Sequence, residues 1–347
     1  MTTTEPTSRF LRACRRLPVD ATPIWFMRQA GRYMPEYRAI REKLSILEMI
    51  ARPEIAAEVT LQPVHAHGVD AAILFADILL PLEPMGLNLE FVKGIGPQID
   101  NPFRTQDDLK RLRTMDAKTD LGHVMQAIKL LRQELSEDVA LIGFSGAPFT
   151  VASYMIEGGP SKEYRHVKSL MYSDPDTWHA FMQHVTAALS DYLLSQIDAG
   201  AQAVQMFDSW VGVLNPQDYA QFVLPYSQSM LQAAQATGVP VLHFGTNTTT
   251  LLPLMKQAGG DVIGLDWRIP LDQGWDLLGP DVAVQGNLDP MALFAPHPVL
   301  EEQVKEVLQR AAGRPGHIFN LGHGISQFTP PENVKAVVEM VHTWTAK

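Results

Sequence analysis

Eight short apolar runs punctuate the chain, at 24–27, 71–76, 139–144, 203–207, 239–244, 262–265, 282–285 and 317–321. Each is four to six residues long and almost continuously hydrophobic, the pattern of a strand buried on both faces. Between the runs, apolar residues step by three or four. Leu121, Val124, Ile128, Leu131 and Leu135 make one such stripe, and Phe181, Val185, Leu189, Leu193 and Ile197 another, as helices packed on a sheet require. Pro53 stands where a helix begins, and Gly200 and Gly238 where helices stop. Eight buried strands alternating with helices close an α/β protein into a (β/α)8 TIM barrel, commonly one domain of about 250 residues plus insertions. A doubly wound open sheet competes, but its dinucleotide form places G-x-G-x-x-G after the first strand. Here 24–27 runs instead into Arg28-Gln29-Ala30-Gly31-Arg32. The expectation is a single barrel domain over 1–347, with extra elements in the longest excursion between strands, residues 78–138.

Charge narrows the partners. A net charge of −10 argues against general nucleic-acid or anionic-membrane binding, yet residues 1–50 hold nine Lys/Arg against five Asp/Glu. Eight of those nine are arginines, the side chain suited to two-pronged recognition of carboxylate or phosphate. Arg9, Arg12, Arg15 and Arg16 read as a solvated basic surface; Arg28 and Arg32 do not, given their neighbours. The lone Cys14 excludes an intramolecular disulfide and a multi-thiolate metal site, and fits a reducing compartment. Residues 1–5 carry neither a basic n-region nor an apolar h-region, and no stretch reaches the roughly 18 to 20 apolar residues of a membrane span. A cytoplasmic protein is expected.

Barrel enzymes place their chemistry where strands end, at the C-terminal rim. Those positions hold Arg28 and Arg32, Asp77, Ser145 and Gly146, Asp208 and Ser209, Gly245, Asp266, Asn287 and His323. A metal site is not expected: His65 and His67, the nearest histidine pair, are two apart on a helix at the opposite end from the rim and do not face each other. Ser145, Asp266 and His323 follow the chain order of a hydrolase triad, but Gly143-Phe144-Ser145-Gly146-Ala147 departs from G-x-S-x-G at Ala147 and no oxyanion segment accompanies it. Gly322-His323-Gly324 is a weak phosphate-loop signal that turn geometry explains equally well. What remains is Arg28, Arg32, Asp77, Tyr154, Ser209 and His323, with neither nucleophile nor metal. Arginines around a lone carboxylate suit an anionic substrate whose ring N–H groups and developing positive charge the carboxylate stabilises. That is equipment for a cofactor-free decarboxylation.

Trp25-Phe26-Met27-Arg28-Gln29-Ala30-Gly31-Arg32-Tyr33-Met34-Pro35-Glu36-Tyr37-Arg38 resembles the N-terminal signature of the uroporphyrinogen decarboxylase family. Gly143 through Thr150 and on to Tyr154 resembles its second signature, and Phe75-Ala76-Asp77-Ile78-Leu79, Phe207-Asp208-Ser209 and Asn320-Leu321-Gly322-His323-Gly324 follow in order. The resemblance implies a homodimeric barrel without metal or prosthetic group. It also implies a reaction in haem and chlorophyll synthesis, removal of the four acetate carboxyls of uroporphyrinogen III to give coproporphyrinogen III. By resemblance, Arg28 and Arg32 bind substrate carboxylates with Arg41 assisting, and Gln29, Ala30 and Gly31 belong to the same substrate-binding segment. Asp77 binds the pyrrole N–H groups, and Tyr154, Ser209 and His323 line the cleft. Barrel methyltransferases of the cobalamin- or thiol-directed type are the neighbouring alternative, but they bind zinc through His-x-Cys and a later Cys. A non-catalytic porphyrin-binding protein would carry the same pocket without turnover.

Overall fold

Nine strands form among the described residues: β1 (Ala71–Ile73), β2 (Leu89–Val92), β3 (Gly96–Ile99), β4 (Ala140–Gly146), β5 (Ala203–Asp208), β6 (Val241–Gly245), β7 (Val262–Gly264), β8 (Ala283–Gln285) and β9 (His317–Ile318). The computed structural model describes residues 7–92 and 94–347; residues 1–5, expected to carry no export signal, lie outside it. Seven strands make one parallel sheet in the order β1-β4-β5-β6-β7-β8-β9, and helices follow nearly every strand. The helix Pro53–His67 starts at its proline, and the helix Pro175–Ala199 ends at Gly200.

The run at 24–27 departs from the expected ladder strand. Only Ile24 bridges, to Phe319, in parallel. Side chains replace the remaining ladder partners: Asp70 accepts the Ile24 N–H at 2.7 Å, and Asn320 accepts the Met27 N–H at 3.1 Å. With the Asp70 N–H donating to the Ile24 carbonyl at 2.9 Å, the segment seats between β9 and β1 and supplies the eighth stave. The barrel is therefore closed partly by polar side chains. Asp70, 8% exposed, also takes His342 Nε2 at 2.8 Å and lies 3.3 Å from the Arg9 guanidinium. Asp70→Ala would strand a backbone N–H, and urea unfolding is expected to show a loss of about 2–3 kcal/mol. An unchanged midpoint would mean that the segment is held otherwise.

Trp25 Nε1 donates to Gln285 on β8, and Gln285 donates to Gln205 on β5 at 3.1 Å. Strands β5 and β8 are not sheet neighbours, so these amides meet across the barrel interior. Strand alternation then sends Phe207 inward with Gln205, and Asp208 outward toward the helices. The excursion at 78–138 adds the antiparallel β2–β3 hairpin and further helices, as expected. No helix among the described residues is long and apolar enough to cross a membrane.

Candidate active site

A cleft of about 820 Å³ opens at the C-terminal rim. Its floor is aromatic. Phe144, Phe207 and Phe244 come from three consecutive strands, with edge-to-face contacts of 5.5 and 6.1 Å between neighbouring rings. The β2–β3 hairpin reaches over the rim to contribute Phe91, Gly96 and Pro97, so the insertion shapes the site.

Arg28, Ala30, Gly31, Arg32, Asp77, Tyr154, Ser209 and His323 all line this cleft. Gln29 does not. It is fully buried, its amide accepting from Phe26 N and donating to the Ala71 carbonyl, both at 2.9 Å. It pins the turn that presents Arg28 to β1. Arg41 also lies outside the lining, its guanidinium donating to the Leu44 carbonyl on the surface. Ser145 is fully buried with its hydroxyl on the Gly146 carbonyl. The Asp266 carboxylate is occupied by Asn247 N, Arg268 N and the Arg268 guanidinium. No triad assembles. His65 is exposed, while His67 is buried against the Tyr33 hydroxyl at 3.0 Å. No group of three or more His, Cys, Asp or Glu side chains among the described residues is placed to hold a metal.

Arg28 sits in the left-handed region at φ 62°, a conformation costing a non-glycine residue about 1–3 kcal/mol. Its side chain lies along Gly324: a Cβ there would meet Arg28 Cδ at 2.5 Å and Cγ at 2.7 Å. The glycine exists so that the arginine can pass. Neither Arg28 nor Arg32 forms a side-chain hydrogen bond or ion pair with a described residue. Two unpaired guanidiniums at one rim are poised for an anion. Gly324→Ala is expected to raise KM for an anionic substrate about tenfold by pushing the guanidinium aside, one charge-assisted hydrogen bond being worth roughly 1.5–3 kcal/mol. An unaltered KM would show that Arg28 can take another route.

Asp77 ends the β1 segment, where Leu79 N donates to its Oδ1 at 2.9 Å and fixes the rotamer. Burial pushes its pKa up, against the pull of that N–H and of Arg28. Tyr154, on the helix Pro148–Glu157, is pushed up to about 12, by burial first and then by the Asp77 charge. It therefore keeps its proton at neutral pH and can donate. Burial lowers the His323 pKa, with Arg28 and Arg268 adding to the effect, so the site favours the neutral imidazole. The buried Tyr192, from the long helix Pro175–Ala199, is raised by burial and by Asp77. Sequence reading missed the aromatic floor and Tyr192, which lies buried outside the cleft lining. Three phenylalanines at the ends of successive strands were the available signal for the floor; Tyr192 carried none, lying inside an ordinary apolar helix stripe.

Such a site belongs to a β/α-barrel enzyme for a large ring-bearing substrate with several negative charges. The uroporphyrinogen decarboxylase (URO-D) family model matches residues 5–344. Uroporphyrinogen decarboxylase of Sorangium cellulosum (strain So ce56) is 56% identical over 96% of each chain. That of Carboxydothermus hydrogenoformans (strain ATCC BAA-161 / DSM 6008 / Z-2901) is 57% identical over 96% of this chain and 95% of its own. The chain belongs to the uroporphyrinogen decarboxylase family, and is a carboxy-lyase. A solved methyltransferase from Methanosarcina mazei superposes with a TM-score of 0.80 over 97% of this chain and 98% of its own, at 22% identity, a likeness of fold. The zinc donors expected of that alternative would have to begin with Cys14, which is buried in the core ahead of the barrel.

Proposed function

We propose that this chain converts uroporphyrinogen III to coproporphyrinogen III by removing its four acetate carboxyls as CO2, a reaction of haem synthesis, with residues 1–347 acting as one catalytic domain. The observation that carries the reading is the half-buried Asp77 carboxylate beside an aromatic floor, with two arginines at the rim that pair with no described residue. The tetrapyrrole lies over the phenylalanines, its ring N–H groups converge on Asp77, and Arg28 and Arg32 take carboxylates. Tyr154, Ser209 and His323 complete the wall. A proton added to the pyrrole carbon beside an acetate makes an iminium-like sink. The bond to the carboxyl then breaks, its electron pair enters the ring system, and CO2 leaves. A proton on the exocyclic carbon and loss of the ring proton restore the pyrrole, so each acetate becomes a methyl with net uptake of one proton. Ionised Asp77 favours the cationic stage in a low dielectric, while the substrate ring serves as the electron sink that a cofactor supplies elsewhere. Guanidiniums are poor acids, and a carboxylate that must stay ionised to favour the cation is a poor donor, so the proton comes from water.

The proposal includes a homodimer working in the cytoplasm. Anaerobic incubation with uroporphyrinogen III, oxidation and chromatography by carboxyl number tests the reaction, and sedimentation tests the dimer. Seven-, six-, five- and four-carboxyl products without added cofactor are expected. Unchanged octacarboxylate from folded protein would overturn the reading.

A further inference from the structure

Behind the cleft wall a single hydroxyl joins two parts of the site. Asp208, at the end of β5, faces the helix layer and is fully buried, its Oδ1 accepting from Thr150 Oγ1 at 2.9 Å. The same Thr150 oxygen accepts the Trp210 N–H at 3.2 Å. Ser209 lies between Asp208 and Trp210, and its carbonyl accepts Thr246 Oγ1 at 2.6 Å. The Trp210 indole meets Tyr154 edge-on, ring centres 5.4 Å apart, and tilts against Tyr164 at 5.5 Å. Thr150 and Tyr154 are four residues apart on the helix Pro148–Glu157 and so share a face. Thr150 thus ties the helix carrying Tyr154 to the turn carrying Ser209, two hydroxyls that line the cleft.

The donor inventory makes this link directional. A carboxylate only accepts and a backbone N–H only donates, so a hydroxyl that gives its proton to one and a lone pair to the other satisfies both. Packing alone does not explain it. Among the described residues Asp208 Oδ2 accepts no hydrogen bond, His243 Nε2 lying 3.8 Å away with neither ring nitrogen bonded. A carboxylate buried with so few partners is costly where an apolar pair would pack. Such a cost is met where it fixes a geometry.

We propose that Thr150, held by Asp208, is a positioning residue that sets the separation of Tyr154 and Ser209 and thereby the fit of the substrate. This rests on the decarboxylase reading above. The test is steady-state KM and kcat for uroporphyrinogen III in full-length Thr150→Val and Thr150→Ser variants beside the parent. Valine keeps the shape and removes both bonds; KM is expected to rise about tenfold with kcat within threefold, the signature of lost binding in ground and transition states alike. Serine keeps the hydroxyl and should restore KM to within about threefold. Parental KM in Thr150→Val, or a serine variant as impaired as valine, would overturn the proposal. A merely structural role would lower the folded fraction and apparent kcat while leaving KM alone. Should the valine variant not accumulate folded, Thr150→Cys, a weak donor of similar size, replaces it with a raised KM expected and a parental KM overturning. A parent without turnover would instead defeat the decarboxylase reading, which separates the two failures.

Discussion

Asp77→Asn is expected to fold normally and to lose turnover by about a hundredfold or more, the scale seen when one preorganised electrostatic group is removed from a closed site. Asparagine keeps the size and the oxygen that accepts Leu79 N, and removes only the charge. The linkage runs in a definite direction. Burial raises the folded-state pKa of Asp77 above its ordinary 3.8, so folding favours the protonated form. The contribution of that form is present at low pH and is lost as pH rises from 3.8 through the raised value. At neutral pH ionised Asp77 is therefore a net cost to stability, and the asparagine variant should melt no lower than the parent. Activity has the opposite sign, because the ionised form stabilises the cation. The acid limb of kcat/KM should fall above 3.8 and disappear from the residual rate of Asp77→Asn. Near-normal turnover, or an unmoved acid limb, would remove Asp77 from the reaction.

What the sequence made legible follows from how strongly local pattern determines position. Short continuous apolar runs of four to six residues flanked by turn signals fit strands buried on both faces, so β4 to β8 were readable in order and to within a residue or two. The first stave was misread as an ordinary strand because its partners are the side chains of Asp70 and Asn320, 46 and 293 residues away from the N–H groups they satisfy. No periodicity encodes that. The rim rule located Arg28, Arg32, Asp77, Ser209 and His323 in one cleft because strand ends in a barrel converge by construction. It did not single out Asp266 and Ser145, equally at strand ends: Ser145 turns to the Gly146 carbonyl, and Asp266 to two backbone N–H groups and the Arg268 guanidinium. Arg41 and Gln29 came in through the resemblance. Gln29 faces away from the cleft because position 28 is left-handed, which turns the chain so that Arg28 looks outward and its neighbour inward. A turn geometry of that kind is invisible until φ is known, and so is the Thr150 hub, whose members stand 58 and 60 residues apart.

Arg28→Lys should cost about ten- to hundredfold in kcat/KM, equivalent to one charge-assisted hydrogen bond, although the net charge is unchanged. A lysine stem can follow the same track over Gly324, where the Arg28 methylenes now lie, so the ammonium reaches nearly the same place. What it lacks is the planar fork that grips both oxygens of one carboxylate. The consequence is a loss of orientation more than of attraction. A substrate with eight carboxylates has charge to spare, and a point cation can hold it in several poses of which few bring a given acetate and its pyrrole over Asp77. The loss should therefore appear in kcat as well as KM. Gly324→Ala, which keeps the fork and displaces it, should show mainly in KM. If Arg28→Lys instead matched the parent, simple charge attraction would suffice at this corner of the cleft. The strained backbone at Arg28 would then need an explanation other than two-pronged recognition.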